Sequence, residues 1–510
     1  MNADPENIFL KLCRAVDEFS SFKVLLVGDF MLDQQIKGTV ERLSPEAPVP
    51  ILRARSHQDV CSTPGGSGNV AACLTALGGE VHCVGVVGND SEGRLLRAGL
   101  EEIGCDVSGL TTDETRPTTV KQSLVGLAQH RHPQKMFRLD FESTAPLSTA
   151  MEAALLNGFE AAITGSDVIC IEDYGKGVCS EHVCQEVIRL ASKHGVPVLV
   201  DPAPRTSYEL YSGANLITPN RSEAELVLGD SIEQVSSDDG GVARGKRLAA
   251  ALRSSLGIEQ VVVTIDREGA VLAHNAQSSP VHIPTRVRNV YDVTGAGDVV
   301  LAVLAASYAH SLDPVDSIHL ANVAAGLEVE TFGVRPIPLH ELRHALLHEV
   351  PGGASNHREL GQLVEELDRL RSQGRRIVLT NGCFDVIHAG HVAYLREASL
   401  VGDVLVVGLN SDHQVAALKG PDRPIFTQQE RLEILGELKC IDYLVVFEEP
   451  GAHELIKAVR PDVYVKGGDY APEEIAEFDL LNELGVEVRV LALRPGLGSS
   501  ALIERIRSEP

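Results

Sequence analysis

Two short stretches of the chain hold residue types whose spacing suits them to chemistry. The first is Asp292-Val-Thr-Gly-Ala-Gly-Asp298, followed by an uninterrupted helical run from Val299 to Tyr308. Gly295, Ala296 and Gly297 leave several backbone N–H groups unpaired at the positive end of that helix. Such a turn is an anion hole suited to a transferring phosphoryl group. Asp298 repels phosphate, but it can accept a proton from a hydroxyl attacking that phosphate. Simple capping of the helix by Thr294 or Asp298 satisfies the same local spacing.

The second stretch is Thr380-Asn-Gly-Cys-Phe-Asp-Val-Ile-His-Ala-Gly-His391, at the end of an apolar strand pattern. His388 and His391 stand three apart, on one face if they open a helix. Gly390 lets a ligand approach the backbone, and the helix N-terminus attracts phosphate. Two imidazole donors there stabilise charge building on an α-phosphate during nucleotidyl transfer, without a covalent intermediate. Zinc held by Cys383, His388 and His391 is a rival reading, and a pair of capping histidines is another.

Other segments carry weaker signals. Gly65-Gly-Ser-Gly-Asn69 makes a tight turn running straight into a helix over 70–77, with an amide side chain at its exit. Thr218-Pro-Asn-Arg-Ser-Glu223 follows a short strand and opens another helix. Its Asn220 and Glu223 suit a nucleotide phosphate and, through water, its magnesium. A capping box accounts for the same pair.

The elements that must hold these residues follow from hydropathy. Short β-branched runs at 23–28, 81–87, 168–171, 196–200 and 261–265 alternate with longer helical patterns. Near-continuous apolar strands of this kind are buried on both faces, which means a parallel sheet between helices. From Gln34 to Arg55, and from Thr118 to Phe141, the pattern turns polar and alternating, as in a small sheet that leaves the main layer to cover a site. A Gly-rich break at 351–355 suits an interdomain linker. Strand patterns restart at 377–380, 404–408 and 443–447. The division expected is a first domain over 1–345, a linker over 346–358 and a second α/β domain over 359–510.

Composition sets the outer bounds. At about 150 residues per domain, the 510 residues imply two or three domains, and 44% hydrophobic with 23% charged residues is ordinary for a globular chain. The net charge of −26 is spread over both domains, which excludes a basic half waiting for nucleic acid or an anionic membrane. Phosphate must therefore be held by local devices. The acidic N-terminus lacks the features of a signal peptide, and the longest promising apolar stretch, Val299 to Ala309, is about half the length that spans a bilayer. Ten cysteines without a Cys-x-x-Cys pair read as small buried hydrophobes in a reducing cytoplasm.

Taken in order, the motifs over residues 20 to 340 resemble the ribokinase-like (phosphofructokinase-B-type) carbohydrate kinases, whose closing motif is Asp-x-Thr-Gly-Ala-Gly-Asp. That resemblance implies Asp298 as catalytic base, Gly295, Ala296 and Gly297 as the anion hole, and Asn220, Arg221, Ser222 and Glu223 as the ATP segment. Glu223 would meet Mg²⁺ through water, with no direct protein ligand. Residues Gly374 to Arg507 resemble the His-x-Gly-His nucleotidyltransferases, with matching elements at Lys419-Gly-Pro-Asp-Arg423, Val465-Lys-Gly-Gly-Asp-Tyr470 and Ser499-Ser500. Here the implied catalytic residues are His388 and His391, and the implied ATP contacts Lys466, Ser499 and Ser500. The implied fold is an α/β ribokinase-like three-layer domain with a small β lid, followed by a Rossmann-like nucleotidyltransferase domain.

Gly28-Asp-Phe-Met-Leu-Asp33, Leu43-Ser-Pro-Glu-Ala-Pro-Val-Pro50 and Asp173-Tyr-Gly-Lys-Gly177 sharpen the likeness to a bifunctional heptose-phosphate kinase/adenylyltransferase family. It implies substrate contacts from Asp29, Asp33, Gly65, Gly66, Asn69 and Lys176. It also implies ATP and Mg²⁺, a cytoplasmic homo-oligomer (a dimer), and a separate phosphatase acting between the two steps. Two departures stand out: Gln34-Gln35-Ile36 where aromatic residues are expected, and Asp266 where such kinases usually have Gly. Another sugar phosphate, CTP in the second site, or a non-catalytic sensor are the alternatives. The intact Asp298 and the His388/His391 pair argue against a sensor.

Overall fold

The computed structural model describes residues 5–54, 56, 60–127, 133–229, 240–274, 278–285, 295–330, 334–348, 356–372, 374–468 and 471–491. Contacts divide the chain into two compact units, Lys11–Ala345 and Leu346–Pro510, the latter joined by Met1–Leu10.

The first unit is built on a nine-stranded sheet. Across it run Val281–Ile283, Ala270–Ala273, Gln260–Thr264, Leu216–Ile217, Val198–Asp201, Val168–Glu172, Phe22–Gly28, Gly79–Gly88 and Leu110–Asp113. Pairing is parallel except for the two strands beyond Gln260–Thr264. Val24 stands in register with both Val81 and Val168. Phe22–Gly28 is therefore where the strand order reverses, and such a reversal opens a crevice beyond the carboxyl ends of the neighbouring strands.

Both faces of the sheet are covered, as the apolar strands require. Leu25, Val27, Ile169 and Ile171 pack on one face with Phe159, Val183, Val187 and Leu248 from helices Thr149–Ala162, Glu181–His194 and Gly241–Leu256. Helix Ala296–Ala309 packs on the strands Val168–Glu172 and Val198–Asp201, between helices Ser67–Ala76 and Pro314–Glu328. Every residue from Asp298 to Ser307 is buried. A helix apolar all round is one enclosed on all sides, and that accounts for the long hydrophobic run. Among the described residues no helix is long and apolar enough to cross a membrane.

The polar, alternating stretches form the expected second sheet. Phe30–Leu43 pairs parallel with Thr119–Leu127 and antiparallel with Pro50–Arg53 and Val60–Gly66, while Gln134–Phe141 closes the far edge. Strand Val60–Gly66 is not evident in the sequence pattern, and the helix behind it starts at Ser67 rather than 70. All ten cysteines are free; seven are buried, Cys61 is exposed, and Cys383 and Cys440 are half-buried.

The second unit is a five-stranded parallel sheet with the order Tyr443–Phe447, Val404–Asn410, Ile377–Gly382, Val463–Gly467, Glu487–Leu491. Its order reverses between Ile377–Gly382 and Val463–Gly467, again making a crevice at their carboxyl ends. Separate hydrophobic clusters fill its two faces. Asn356 and Arg358, in the segment expected to be linker, are tied into this unit. The Asn356 amide donates to Ile441 O at 3.0 Å, Leu444 N to Asn356 O at 2.8 Å, and Arg358 N to Leu444 O at 2.9 Å.

A chain starting at Asn356 should accordingly unfold as one cooperative unit. One starting at Glu359 should lose about 1–3 kcal/mol of stability, the usual worth of such bonds when a buried group is left unpaired. Urea unfolding of the two fragments checks both expectations; equal midpoints would mean that residues 356–358 contribute nothing.

Candidate functional sites

Strands of the first unit deliver a crowd of acid to the crevice. Asp29 follows Phe22–Gly28, Glu172 ends Val168–Glu172, and Asp201 ends Val198–Asp201. Asp298 arrives from the first turn of its helix, where Gly295 takes φ +96° to start the turn. Carboxylate oxygens of Glu172, Asp201 and Asp298 lie within 4.8 Å of one another. Burial first, and then repulsion by neighbouring carboxylates (Asp201 and Asp298 on Glu172, Glu223 and Asp298 on Asp201), holds both well above the usual carboxylate range.

Asp298 is buried and doubly clamped. Asn69 Nδ2 donates to Oδ2 at 2.5 Å, and the Tyr174 hydroxyl donates to Oδ1 at 2.9 Å. Burial pushes its carboxyl up to about 6, against the pull of those two donors and of Lys121. It forms the floor of a cavity of about 370 Å³. Gly66, Asn69, Tyr174 and Gly295 line the same space, and Asp33, Lys121, Lys135 and Arg138 reach it from the small sheet. The three cations meet the need for a local device in an acidic chain. They also oppose the burial that raises Asp33. Asp33 Oδ1 is buried with no hydrogen-bond partner among the described residues. Gly65, which pairs with Met31 on the adjacent strand, leaves it room: a Cβ there would come within 2.4 Å of the Asp33 carboxylate.

Some expected contacts are spent elsewhere. Asp29 does not line the cavity: its carboxylate accepts the N–H groups of Tyr174, Lys176 and Val178 at 2.9, 3.0 and 3.2 Å, so it shapes the 174–178 loop. Lys176 also points away, its Nζ pairing with Glu142 at 2.6 Å. Asn69 lines the cavity but gives its amide to Asp298 rather than leaving it for a ligand. Asn220 and Glu223 form the capping box, with reciprocal bonds of 3.0 and 2.9 Å. Arg221 pairs with Asp266 at 2.6 Å, and Ser222 is exposed on the same turn. Asp266 keeps a left-handed backbone, φ +54°, which explains why Gly is usual there. Ala296 is half-buried and Gly297 exposed, and a Cβ on Gly297 would stand 3.3 Å from Asp201 Oδ2.

Glu223 is the residue that would hold a magnesium ion through water, and its surroundings suit one. Only one of its oxygens, Oε2, is engaged in the capping box, and burial raises its carboxyl. Asp201, which faces it, is raised in part by its charge. This is surplus negative charge with hard oxygen donors, the chemistry Mg²⁺ selects. Sequence reasoning missed Tyr174, Lys121, Arg138, Glu172 and Asp201. Tyr174 lay inside a motif already singled out, but that motif's Lys176 was credited instead.

In the second unit, His388 caps helix Ala389–Ser399, its Nδ1 accepting Gly390 N–H at 3.1 Å. That bond assigns the neutral ring's proton to Nε2, leaving a donor free. His391 stacks on it with ring centroids 3.9 Å apart, and Phe384 meets His391 edge-on. Burial lowers both imidazoles, His391 to about 4 with His388 and Lys419 adding to the effect. Lys466 Nζ and the Tyr464 hydroxyl both donate to Asn381 Oδ1, at 2.8 and 2.6 Å, across the strand reversal. The Cys383, His388 and His391 ligand atoms do not converge within 4.8 Å among the described residues, as a zinc site requires. Ser499, Ser500, Asp469 and Tyr470 lie outside the described residues.

Two buried groups tie the loops together. Asp385 holds Arg423 at 2.8 Å and Ile425 N at 2.6 Å. Arg431, fully buried, donates to the carbonyls of Cys383, Asn410 and Phe426 and to Asp412. Neither appeared among the expected site residues, because nothing local distinguishes Arg431 from a solvated helix arginine.

The raised carboxyl of Asp298 has a consequence for stability. Between its unfolded value near 4 and about 6, the folded chain binds more protons, so this group's penalty is largest above pH 6 and disappears as pH falls toward 4. Asp298→Asn should therefore stabilise the first unit by about 1–3 kcal/mol at pH 8, with the gain shrinking at pH 5. Paired thermal melts at the two pH values measure it; a destabilised variant at pH 8 would contradict the electrostatic account.

A pfkB family carbohydrate kinase model matches residues 22–341, and a cytidylyltransferase-like model matches residues 379–505. The Bifunctional protein HldE of Syntrophotalea carbinolica is 40% identical over 493 residues, covering 96% of this chain and 97% of that one. Its counterpart in Pseudomonas paraeruginosa is 39% identical over 495 residues, covering 97% and 99%. The crystal structure of phosphofructokinase-2 from Escherichia coli in complex with substrates and products superposes with a TM-score of 0.51 at 16% identity. It covers 64% of this chain and 99% of that one, which shows the fold of the first unit. Spanning the kinase model over more than half its length and such relatives almost end to end, the chain belongs to the pfkB family of carbohydrate kinases and, with its second unit, to the family of bifunctional HldE proteins.

Proposed function

We propose that the chain is a bifunctional transferase. Its first site phosphorylates D-glycero-β-D-manno-heptose 7-phosphate at O1, with ATP as donor. Its second transfers an adenylyl group from ATP to heptose 1-phosphate, giving ADP-heptose for lipopolysaccharide core. The observation that carries the kinase half is Asp298, buried and clamped at the floor of a cavity rimmed by Lys121, Lys135 and Arg138.

In the first site, the sugar lies between the small sheet and the Gly295–Gly297 turn. Asp33, with a buried oxygen to spare, accepts a sugar hydroxyl, and the three cations receive the 7-phosphate. Asp298 takes the O1 proton as O1 attacks the γ-phosphate, and the N–H groups of the turn meet the charge on the transferring group. Mg²⁺ enters with ATP, held by Glu223 through water, and neutralises phosphate charge. Asn220, Arg221 and Ser222 border the nucleotide side.

In the second site, the Nε2–H of His388 and the neutral His391 receive the α-phosphate, with Lys466 beside them, while the sugar phosphate displaces pyrophosphate. Ser499 and Ser500 complete the nucleotide contacts. The domains are taken as 1–345 and 359–510 with 346–358 between, the end of that segment being bonded to the second through Asn356 and Arg358. The enzyme works in the cytoplasm as a homo-oligomer, a dimer. The exposed Leu139 and Phe141 of the outer strand support the second copy.

Asp298→Asn should lose kinase activity by roughly 10²–10⁴-fold and keep adenylyltransferase activity, while His391→Ala should do the reverse. Coupled assays of each half-reaction measure this, and loss of both activities in either variant would contradict two separate sites.

The two steps should also not run on in one pot. The kinase leaves a 1,7-bisphosphate, whereas the adenylyltransferase needs a 1-phosphate whose 7-phosphate has been hydrolysed. Pure protein with heptose 7-phosphate, ATP and Mg²⁺ should accumulate bisphosphate until a phosphatase is added. ADP-heptose formed without phosphatase, seen by mass spectrometry, would overturn the substrate assignment.

A further inference from the structure

Tyr174 stands at a junction that the phosphoryl chemistry does not yet use. Its backbone N–H is held by Asp29 at 2.9 Å, at the head of the loop that Asp29 shapes. Its ring lies under Lys121, with Nζ 4.4 Å from the centroid. Its hydroxyl donates to Asp298 Oδ1 at 2.9 Å, while Asn69 occupies Oδ2. Loop, lid cation and hydroxyl thus fix one ring in three directions, and the ring in turn fixes one oxygen of the carboxylate.

We infer that Tyr174 is a positioning residue for phosphoryl transfer, holding Asp298 in one orientation and favouring its ionised form. The inference rests on Asp298 being the base. A hydrogen bond donated to a carboxylate stabilises its charged form and opposes protonation. Without the phenol, the carboxylate is held from one side only, by Asn69, and the charge that makes it a base is less well supported. Other charged and titratable groups face Asp298 as well: Lys121 and Asp33 from the lid, Glu172 and Asp201 from the strand ends, and Cys73 from helix Ser67–Ala76. Substitution at Tyr174 leaves all of these in place, so a change in the acid limb of the rate profile reports the lost donor.

The test is Tyr174→Phe, which keeps the ring beneath Lys121 and removes only the hydroxyl. Kinase kcat should fall on the order of 10- to 100-fold, with KM for ATP and for the sugar phosphate within about twofold. The acid limb of the kinase profile should move up by about one pH unit. Adenylyltransferase activity of the same preparation should be unchanged, which reports that the chain is folded. Replacing Tyr174 by 3-fluorotyrosine, a stronger donor of the same shape, should move the limb down instead. A Tyr174→Phe enzyme with its acid limb unmoved, or a fluorotyrosine enzyme shifted upward, overturns the inference. Asp298→Asn assayed alongside separates the two readings: substantial kinase activity in that variant defeats the assignment of the base itself, whatever Tyr174 does.

Discussion

Everything in the first unit is organised around keeping one ionisable carboxylate out of water. Burying Asp298 is unfavourable to its charge, and the Asp33 carboxylate adds to that cost, while Asp298 in turn helps hold Glu172 and Asp201, within 4.8 Å of it, well above the usual carboxylate range. The fold answers with three devices. Helix Ala296–Ala309 is buried from Asp298 to Ser307, which keeps Asp298 out of solvent. Asn69 and Tyr174 supply one donor to each oxygen. The small sheet brings Lys121 close enough to oppose the effect of burial. The outcome is a carboxyl pushed to about 6, ionised at neutral pH yet close enough to it to suit the proposed role of proton acceptor. Strain of this sort, retained against stability, is typical of working sites.

The second unit solves a related problem with opposite chemistry. Its crevice also lies where the strand order reverses, and a helix N-terminus again faces it. The groups delivered there are neutral imidazoles and a partly buried lysine in place of carboxylates. Burial lowers His388 and His391, so both are hydrogen-bond donors rather than fixed cations at neutral pH. Nucleotidyl transfer in this arrangement needs no proton taken from carbon or alcohol, only donors around a phosphate. One chain thus uses the same topological device twice, with the local charge set separately in each half.

Much of this was legible in the sequence, because parallel strands buried on both faces leave an unmistakable apolar record. The strands at Phe22–Gly28, Val168–Glu172 and Val404–Asn410 fall where β-branched runs place them, and the lid strands fall where the pattern turns polar. The glycine-bearing turns that open helices Ala296–Ala309 and Ala389–Ser399 were legible for a related reason: small residues before a long helical pattern mark a turn that a ligand can approach. What stayed hidden was the direction of individual side chains. Asp29 and Lys176 sit in motifs that look like ligand contacts, yet one ties a loop and the other pairs with Glu142. Tyr174 does the opposite, looking like a loop residue and reaching the Asp298 carboxylate. Strand Val60–Gly66 was missed because its Ser, Thr, Pro and Gly residues carry no strand signal, and only pairing with Phe30–Leu43 makes it one. Arg431 was invisible because its partners are mostly backbone carbonyls, and two of them, at Cys383 and Asn410, are far off in sequence.

The central claim is that Asp298 is a buried carboxylate held ionised by its two donors, and the most direct measurement is its own titration. Carbon-13 NMR of protein labelled at the aspartate carboxyl, compared with the same protein carrying Asp298→Asn, isolates the resonance. A signal that titrates near pH 6 and is missing from the variant is the result expected. A missing signal that titrates near pH 4, with the exposed aspartates, would show the carboxylate to be solvated and would contradict the account.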